Sequence, residues 1–226
     1  MPARSVIAAA LCGVLLVVLL AGVLTAASQP IDDALITALF SEPVREPLGF
    51  LGPITELGST LVVSIWAVAL LPAGFALGAP LQGAAGALTI ALASVVNSLV
   101  KVWVGRQRPE LIEPVVAEGG YSFPSGHAAL SMVAYGITAV LVARSRLPLV
   151  ARVVAIVVLA LVVLAVGVSR VYLGVHYATD VAAGWSAGGI VVAIYAWWTG
   201  RAARAEAAAG AMEEGARGRA VSSGRG

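Results

Sequence analysis

The chain has 226 residues, of which 60% are hydrophobic and 12% are charged, and its mean hydropathy is +0.96. A soluble domain carries about twice that charged fraction, so the composition indicates an integral membrane protein with one compact domain. The net charge of +2 and the lack of a basic run with interleaved aromatic residues argue against nucleic acid as a partner.

The first apolar run extends from Ser5 to about Ala27. Its length matches the roughly 20 residues that cross a bilayer and exceeds the core of an ordinary signal peptide. Cleavage after residues 25–27 is the alternative, but we favour an uncleaved first helix. Cys12 is the only cysteine and lies in this run, which excludes an internal disulfide and a cysteine-based metal site.

Residues 28–58 form the first loop. Pro30 followed by Asp32 and Asp33 is typical of a helix start, and three apolar residues recur at near-helical spacing, namely Ile31, Leu35 and Leu39. This pattern predicts a short amphipathic helix on the membrane surface. An ordinary loop packed on the bundle is an equally good interpretation.

Five further apolar runs follow, at about residues 59–79, 82–103, 126–143, 148–168 and 179–199. Together with the first run they predict an all-α fold, a polytopic bundle of six transmembrane helices within residues 1–200. From residue 201 the chain turns to Ala, Arg, Glu and Gly. We expect residues 201–226 to form a cytoplasmic tail that is disordered beyond a first helical turn or two.

The distribution of cations predicts the orientation. With six spans, nine of the fourteen Lys and Arg residues fall on the side of the two termini, and five fall on the other side, namely Arg45, Lys101, Arg106, Arg108 and Arg170. The positive-inside rule then places both termini in the cytoplasm. The side with fewer cations is extracytoplasmic, and it carries every candidate functional residue described next.

The first candidate segment joins the last two spans. Arg170, His176 and Asp180 fall within otherwise apolar sequence, and ionisable groups at membrane depth are usually kept for a function. His176 and Asp180 are four residues apart, so they share one face if the helix has begun. The carboxylate can then hold one imidazole nitrogen as N–H and leave the other as a nucleophile. A capping pair at the membrane surface is the structural alternative.

Two other segments reach the same side. Lys101 and Arg108 are seven residues apart, and Pro109 disfavours helix at Arg108, so Arg108 should lie where the chain turns over the site. Ser125 precedes the fourth span as a candidate N-cap, where free N–H groups bind anions. Gly126 allows close approach of a phosphate oxygen to the backbone.

In chain order these segments read Lys, six residues, Arg-Pro; then Pro-Ser-Gly-His; then Ser-Arg, five residues, His, three residues, Asp. The sequence resembles the type 2 phosphatidic acid phosphatase family, whose superfamily includes undecaprenyl-diphosphate phosphatases, lipid phosphate phosphatases, glucose-6-phosphatase and vanadium haloperoxidases. The motifs occupy residues 101–180, and residues 1–100 carry no comparable signal.

The resemblance implies specific roles. His176 would be the nucleophile that forms a phosphohistidine, with Asp180 orienting it. His127 would protonate the leaving oxygen and then activate water. The phosphoryl oxygens would be bound by Lys101, Arg108, Ser125, Gly126 and Arg170. No cofactor and no metal ion would be required.

Charged residues near the motifs also have structural interpretations. Arg106 matches no motif position, so it either helps to bind substrate or meets lipid headgroups, and we favour the headgroups. Glu110, Glu113 and Glu118 are irregularly spaced, and we interpret them as a solvated loop rather than as metal ligands.

The predicted function is hydrolysis of a lipid phosphate or diphosphate at the outer face of the cytoplasmic membrane. Undecaprenyl or another polyprenyl diphosphate is the first choice of substrate, and phosphatidic acid and phosphatidylglycerol phosphate are the alternatives. A transporter of phosphorylated lipids and a haloperoxidase are the rivals from other classes. The partners are a membrane lipid and the bilayer, and the oligomeric state is left open.

Overall fold

The computed structural model describes residues 2–40, 51–110 and 118–223. Residues 41–50, which include Arg45, and residues 111–117, which include Glu113, lie outside this description. The described residues form eight helices and no strand: α1 (Pro2–Leu24), α2 (Gln29–Phe40), α3 (Leu51–Glu56), α4 (Thr60–Ala76), α5 (Pro80–Val104), α6 (Gly126–Arg144), α7 (Leu149–Tyr172) and α8 (Ala178–Ser223). The predicted all-α membrane bundle is confirmed.

Within the described ranges, five helices are long and apolar enough to cross a membrane, namely α1, α5, α6, α7 and the first 25 residues of α8. Helix α4 is apolar but has only 17 residues. At a rise of about 1.5 Å per residue it spans roughly 25 Å, slightly less than the hydrocarbon core. It ends earlier than predicted because Gly78 takes a left-handed conformation (φ 70°) and Pro80 starts the next helix.

Helix α6 is the centre of the bundle. One face of it packs Val133 and Ile137 against Val63 of α4, Ile90 of α5 and Tyr195 of α8, and all five side chains are buried. Large apolar side chains on α1, α5 and α7 point outward instead, as lipid-facing helices require. The bundle therefore buries α6 and turns the other helices toward the bilayer.

Helices α4 and α5 approach each other closely through two glycines. A Cβ atom added at Gly74 would lie 2.9 Å from the Gly83 Cα, and one added at Gly83 would lie 2.5 Å from the Leu70 carbonyl oxygen. Neither position accepts a larger residue without displacing backbone. Small residues at such crossings are typical of membrane helices.

A helix does occupy the first loop, but its inward face differs from the predicted apolar stripe. Asp32 and Ile36 of α2 are buried, whereas Ile31 and Leu35 are exposed. Ile36 packs against Ala128 at the start of α6. Helix α2 is therefore anchored in the bundle through Asp32 and Ile36, and Leu39 of the predicted stripe is partly buried against the same cluster.

The described part of the tail is helical, and its predicted disorder and cytoplasmic location stay predictions. Helix α8 continues from the last span through Ser223. The residues after 200 are rich in Ala, Arg and Glu, which have high helix propensity, so a helix already started in the span can propagate through them.

Candidate active site

Three segments that are distant in sequence meet at one end of the bundle: residues 101–110, residues 121–127 and the α7–α8 connection. Two backbone hydrogen bonds join them, from the Ser122 N–H to the Arg106 carbonyl (2.8 Å) and from the Ser125 N–H to the Asp180 carbonyl (3.0 Å). All eight predicted site residues lie at this end: Lys101, Arg108, Ser125, Gly126, His127, Arg170, His176 and Asp180.

Helix α5 stops between the two cations of its motif. Gly105 has a φ of 66°, and its N–H donates to the Lys101 carbonyl (3.0 Å), which closes the helix. Arg108 consequently lies in the non-helical segment that follows. This confirms the prediction from Pro109 that Arg108 lies outside the helix.

His176 lies in the α7–α8 connection, and both it and Asp180 are fully buried. The His176 Nδ1 is 3.4 Å from the Asp180 Oδ2, which also accepts the Tyr177 N–H at 2.9 Å. Burial lowers the pKa of His176 to about 4, although its hydrogen bond with Asp180 opposes the shift. In the tautomer that donates Nδ1–H to Asp180, the neutral imidazole presents its Nε2 lone pair, and Nε2 lies 3.3 Å from the Arg108 Nη1.

Each of the three motif cations donates a hydrogen bond to an acceptor without net charge. The Lys101 Nζ donates to the Tyr121 carbonyl at 3.2 Å, and the Arg108 Nη1 donates to the Val175 carbonyl at 2.7 Å. Arg170 is 2% exposed and donates from Nη1 to the Thr55 hydroxyl of α3 at 2.8 Å. Because these acceptors carry no net charge, the positive charge of each side chain remains available for an anion.

The start of α6 contributes Ser125, Gly126 and His127. Ser125 occupies the predicted N-cap position, but its side chain makes no capping hydrogen bond, and its buried Oγ has no partner among the described residues. A Cβ atom added at Gly126 would lie 3.2 Å from the Asn97 Nδ2 and 4.0 Å from the Lys101 Nζ, so glycine keeps this approach to the cation open. The His127 side chain is 18% exposed.

For Glu118 the predicted position in a solvated loop was wrong. Its carboxylate contacts Arg170, lies 3.1 Å from the Arg108 Nη1, and is 3.8 Å from the His127 Nδ1 and 4.0 Å from the His176 Nε2. Burial alone would raise the pKa of Glu118, but the charges of Arg170 and Arg108 outweigh it and hold that pKa below its usual range. Glu110 is exposed, as predicted.

The Glu118 carboxylate occupies a position where an anionic group is surrounded by several cationic and imidazole side chains. We use the name phosphoryl pocket for the space it occupies, bounded by Lys101, Arg108, His127, Arg170 and His176. An anionic group at this point meets two guanidinium groups and two imidazoles at once.

Arg106 does not meet lipid headgroups, so that prediction was wrong. Its side chain is 7% exposed and forms salt bridges with Asp32 of α2 (2.8 Å) and with Asp180 (2.7 Å). Its guanidinium carbon lies 4.2 Å from the centre of the Tyr177 ring. Neither Asp32 nor its partnership with Arg106 was predicted, because a pair 74 residues apart leaves no local pattern.

An apolar cleft of about 430 Å³ opens beside the pocket between α1, α5, α6 and α8. Leu16, Leu92 and Val96 line its length. Asn97 and Phe123 line the end near the site, where Phe123 lies two residues before Ser125. The cleft therefore joins a bilayer-facing apolar surface to the polar site.

Comparisons with known proteins identify the relatives of this chain. A family model for the PAP2 superfamily matches residues 82–204. Phosphatidylglycerophosphatase B of Bacillus subtilis (strain 168) is 36% identical over 96 residues, which are 42% of this chain and 46% of that protein. The chain thus spans about half the length of this curated relative.

Two solved structures are similar. The crystal structure of the first transmembrane PAP2 type phosphatidylglycerolphosphate phosphatase from Bacillus subtilis has a TM-score of 0.78 at 26% identity, over 85% of this chain and 96% of that chain. Aquifex aeolicus LpxE has a TM-score of 0.54 at 23% identity, over 72% and 92% of the two chains, and shows likeness of fold. The family match contains all eight predicted site residues, whereas α1 to α4 precede it.

Proposed function

The chain belongs to the PAP2 superfamily, and from that premise we propose that it is a metal-independent membrane lipid phosphatase. One observation supports this proposal above the others. Two imidazoles and two guanidinium groups surround a single anion position, which the Glu118 carboxylate fills. Phosphoryl transfer asks mainly for positioning and for stabilisation of charge on the equatorial oxygens, and this arrangement supplies both.

In the first step the substrate's phosphoryl group takes the place of Glu118. The His176 Nε2 attacks phosphorus with its lone pair, so a P–N bond forms while the bond from phosphorus to the leaving oxygen breaks. His127 donates a proton to that oxygen. Asp180 holds the Nδ1–H and stabilises the positive imidazole that results.

In the second step water attacks the phosphohistidine. His127 accepts a proton from this water, a new P–O bond forms, and the P–N bond breaks with its electron pair returning to Nε2. Inorganic phosphate and the starting enzyme result. Lys101, Arg108, Arg170 and the Ser125–Gly126 turn bind the phosphoryl oxygens throughout.

The names of the relatives favour one substrate over another. The curated Bacillus subtilis relative and the Bacillus subtilis crystal structure are each named for phosphatidylglycerol phosphate, whereas neither name points to polyprenyl diphosphate, the substrate first predicted from the sequence. We therefore rank phosphatidylglycerol phosphate first and keep phosphatidic acid and polyprenyl diphosphate as alternatives. The apolar cleft beside the pocket suits the chain of any of these lipids.

The proposed location is the cytoplasmic membrane, with both termini in the cytoplasm and the site on the extracytoplasmic face. This orientation is supported by the cation count alone. Labelling of single cysteines by a membrane-impermeant reagent tests it, with cysteine placed at residue 121 near the site or at residue 146 at the opposite end. Cys12 is replaced beforehand, and labelling of residue 146 alone in intact cells would overturn the orientation.

The function is tested by phosphate release from purified protein in detergent with EDTA present. Phosphatidylglycerol phosphate, phosphatidate, polyprenyl diphosphate and a water-soluble monoester are compared. We expect hydrolysis of at least one lipid, loss of it in His176→Ala, and no effect of EDTA. Arg146→Ala, at the exposed opposite end of the bundle, is the matched control. Equal activity in His176→Ala, or strong inhibition by EDTA, contradicts the mechanism.

A further inference from the structure

We propose that Arg106 and Asp32 form a clamp that positions the His176–Asp180 pair for its reaction. In this proposal, which rests on the proposed function, Arg106 holds one oxygen of Asp180, and Asp32 of α2 holds Arg106. We call these three side chains, Arg106, Asp32 and Asp180, the Arg106 clamp. Both Arg106 and Asp32 are positioning residues, since neither touches the phosphoryl pocket.

The two oxygens of Asp180 have separate tasks. Oδ2 faces the His176 Nδ1 and accepts the Tyr177 N–H at 2.9 Å, whereas Oδ1 accepts from the Arg106 Nη1 at 2.7 Å. Rotation of the carboxylate would break contacts on both sides. The imidazole is thereby held in the orientation that points Nε2 at the pocket.

The two Nη groups of Arg106 are in turn fully engaged. Its Nη1 donates to the Thr179 hydroxyl (2.8 Å) as well as to Asp180, and its Nη2 donates to Asp32 (2.8 Å) and to the Gln29 Oε1 (3.0 Å). Each Nη carries two hydrogens, so these four acceptors use all of them. No Nη hydrogen is left for a phosphoryl oxygen, which separates Arg106 from Arg108.

Asp32 ties α2 to the first turn of α8. Besides Arg106 it accepts the Thr179 N–H at 3.3 Å and the Thr179 hydroxyl at 2.5 Å. Asp32 is 1% exposed, and a buried carboxylate persists only when it is compensated in this way. Helix α2 precedes the family match, yet through Asp32 it reaches the residue that orients the nucleophile.

The charge of Asp180 also indicates that Arg106 positions this carboxylate. Asp180 is buried beside an imidazole that burial keeps neutral, so Arg106 is the cation that compensates its charge. Removing one partner of a buried pair leaves the other uncompensated. Loss of Arg106 should therefore favour rotation or protonation of Asp180, and either change releases the His176 Nδ1–H.

Kinetics of Asp32→Asn, Arg106→Gln and Arg106→Lys provide the first test. We expect Asp32→Asn and Arg106→Gln to lower kcat by about 10- to 100-fold, the usual effect of losing a group that orients an imidazole, with KM changed less than about threefold. Arg106→Lys keeps the charge and should recover part of the loss. Asp33→Asn, the same chemical change one residue along α2, should stay within about twofold. In an Asp180→Asn background, Arg106→Gln should add little, because both changes act on one group.

Nitrogen-15 spectra provide a second test that does not depend on turnover. The chain contains two histidines, so spectra of tag-free protein with labelled histidine hold two ring systems, and His127→Gln assigns them. We expect His176 to be the Nδ1–H tautomer in the wild type and a mixture of tautomers in Asp32→Asn and Arg106→Gln, with the His127 signals unchanged.

The outcomes separate the two proposals. The clamp is overturned, and the proposed function stays intact, if the wild-type enzyme hydrolyses lipid phosphates and both Asp32→Asn and Arg106→Gln match it in kcat and in the His176 spectrum. A wild type without phosphatase activity overturns the function, and the spectra still decide on the clamp. Thermal unfolding in detergent and altered His127 signals identify any variant that loses kcat because it unfolds. In that case recovery of kcat in Arg106→Lys, which keeps the charge, decides whether the clamp positions His176.

Discussion

Arg106 and Arg108 are two residues apart, but they belong to opposite kinds of environment. Arg108 faces the phosphoryl pocket, where Arg108 and Arg170 contact one carboxylate, that of Glu118, and Lys101 interacts with it electrostatically. Arg106 belongs to the Arg106 clamp, where it is the one cation shared by the carboxylates of Asp32 and Asp180. The pocket thus has a surplus of positive charge, and the clamp has none.

Exposure divides the two regions in the same way. Glu118 is 26% exposed, whereas the clamp side chains range from 0% to 7%. An accessible anion among surplus cations can be exchanged for another anion, but a buried network whose Nη hydrogens are all used cannot. Under the proposed function, the pocket would bind substrate and the clamp would hold the catalytic geometry.

The largest expected effect concerns vanadate, which mimics pentacoordinate phosphorus. Arg108→Gln and Arg170→Gln should each raise the inhibition constant of vanadate by about 100-fold, because each removes a charged donor aimed at the oxygens. Arg106→Gln should leave this constant within about threefold. Inhibition of phosphate release measures all three variants, and an equal rise in all of them would erase the distinction between pocket and clamp.

The next effect depends on the leaving group. His127→Ala should lower kcat by about 100-fold on phosphatidylglycerol phosphate, whose alcohol needs a proton to depart. On polyprenyl diphosphate, which releases a phosphate, the loss should be about tenfold. Parallel assays of the purified variant test this, provided that chemistry in the first step limits both reactions, and equal losses would contradict the role of His127 as acid.

A smaller effect is expected at Glu118. Glu118→Gln removes the charge that competes for the pocket, so it should lower the inhibition constants of vanadate and inorganic phosphate by about tenfold. Glu110→Gln, on an exposed side chain, is the matched control. Unchanged constants in Glu118→Gln would show that its carboxylate does not compete with phosphoryl oxygens.

The smallest effect concerns pH. Because burial lowers the pKa of His176 to about 4, its imidazole keeps the Nε2 lone pair throughout the neutral range and loses it only as the pH falls toward that value. At pH 5 about 10% of the enzyme would be inactive for this reason. Profiles of kcat/KM, corrected for ionisation of the substrate, measure this, and a fall centred near pH 6.5 would contradict the buried environment of His176.

The sequence predicted which residues gather at this end of the bundle because each of them belongs to a local motif. Lys101, Arg108, His127 and His176 all fall at ends of apolar runs, and spans of bilayer length bring such ends to one side. The positions of Gly105 and Pro109 likewise predict where α5 must stop. These are local constraints, and the structure follows them.

The clamp and Glu118 could not be predicted because they depend on contacts between distant segments. Asp32 was predicted only as a helix-start residue, and of the predicted apolar stripe Ile31 and Leu35 are exposed whereas Leu39 packs inward. Arg106 was predicted to lie at a membrane surface. Only the folded arrangement shows that Asp32 packs inward beside Ile36, since periodicity does not reveal which ions will pair.

The position of Glu118 has a consequence for how the proposed reaction cycle would close. Tightly gathered cations would ordinarily retain inorganic phosphate, the final product, and slow the next round. A carboxylate tethered to the same chain has a high local concentration beside Arg108 and Arg170, so it would re-enter as the product leaves. Release of phosphate would then exchange one counter-ion for another, and the cations would not be left to repel one another between turnovers.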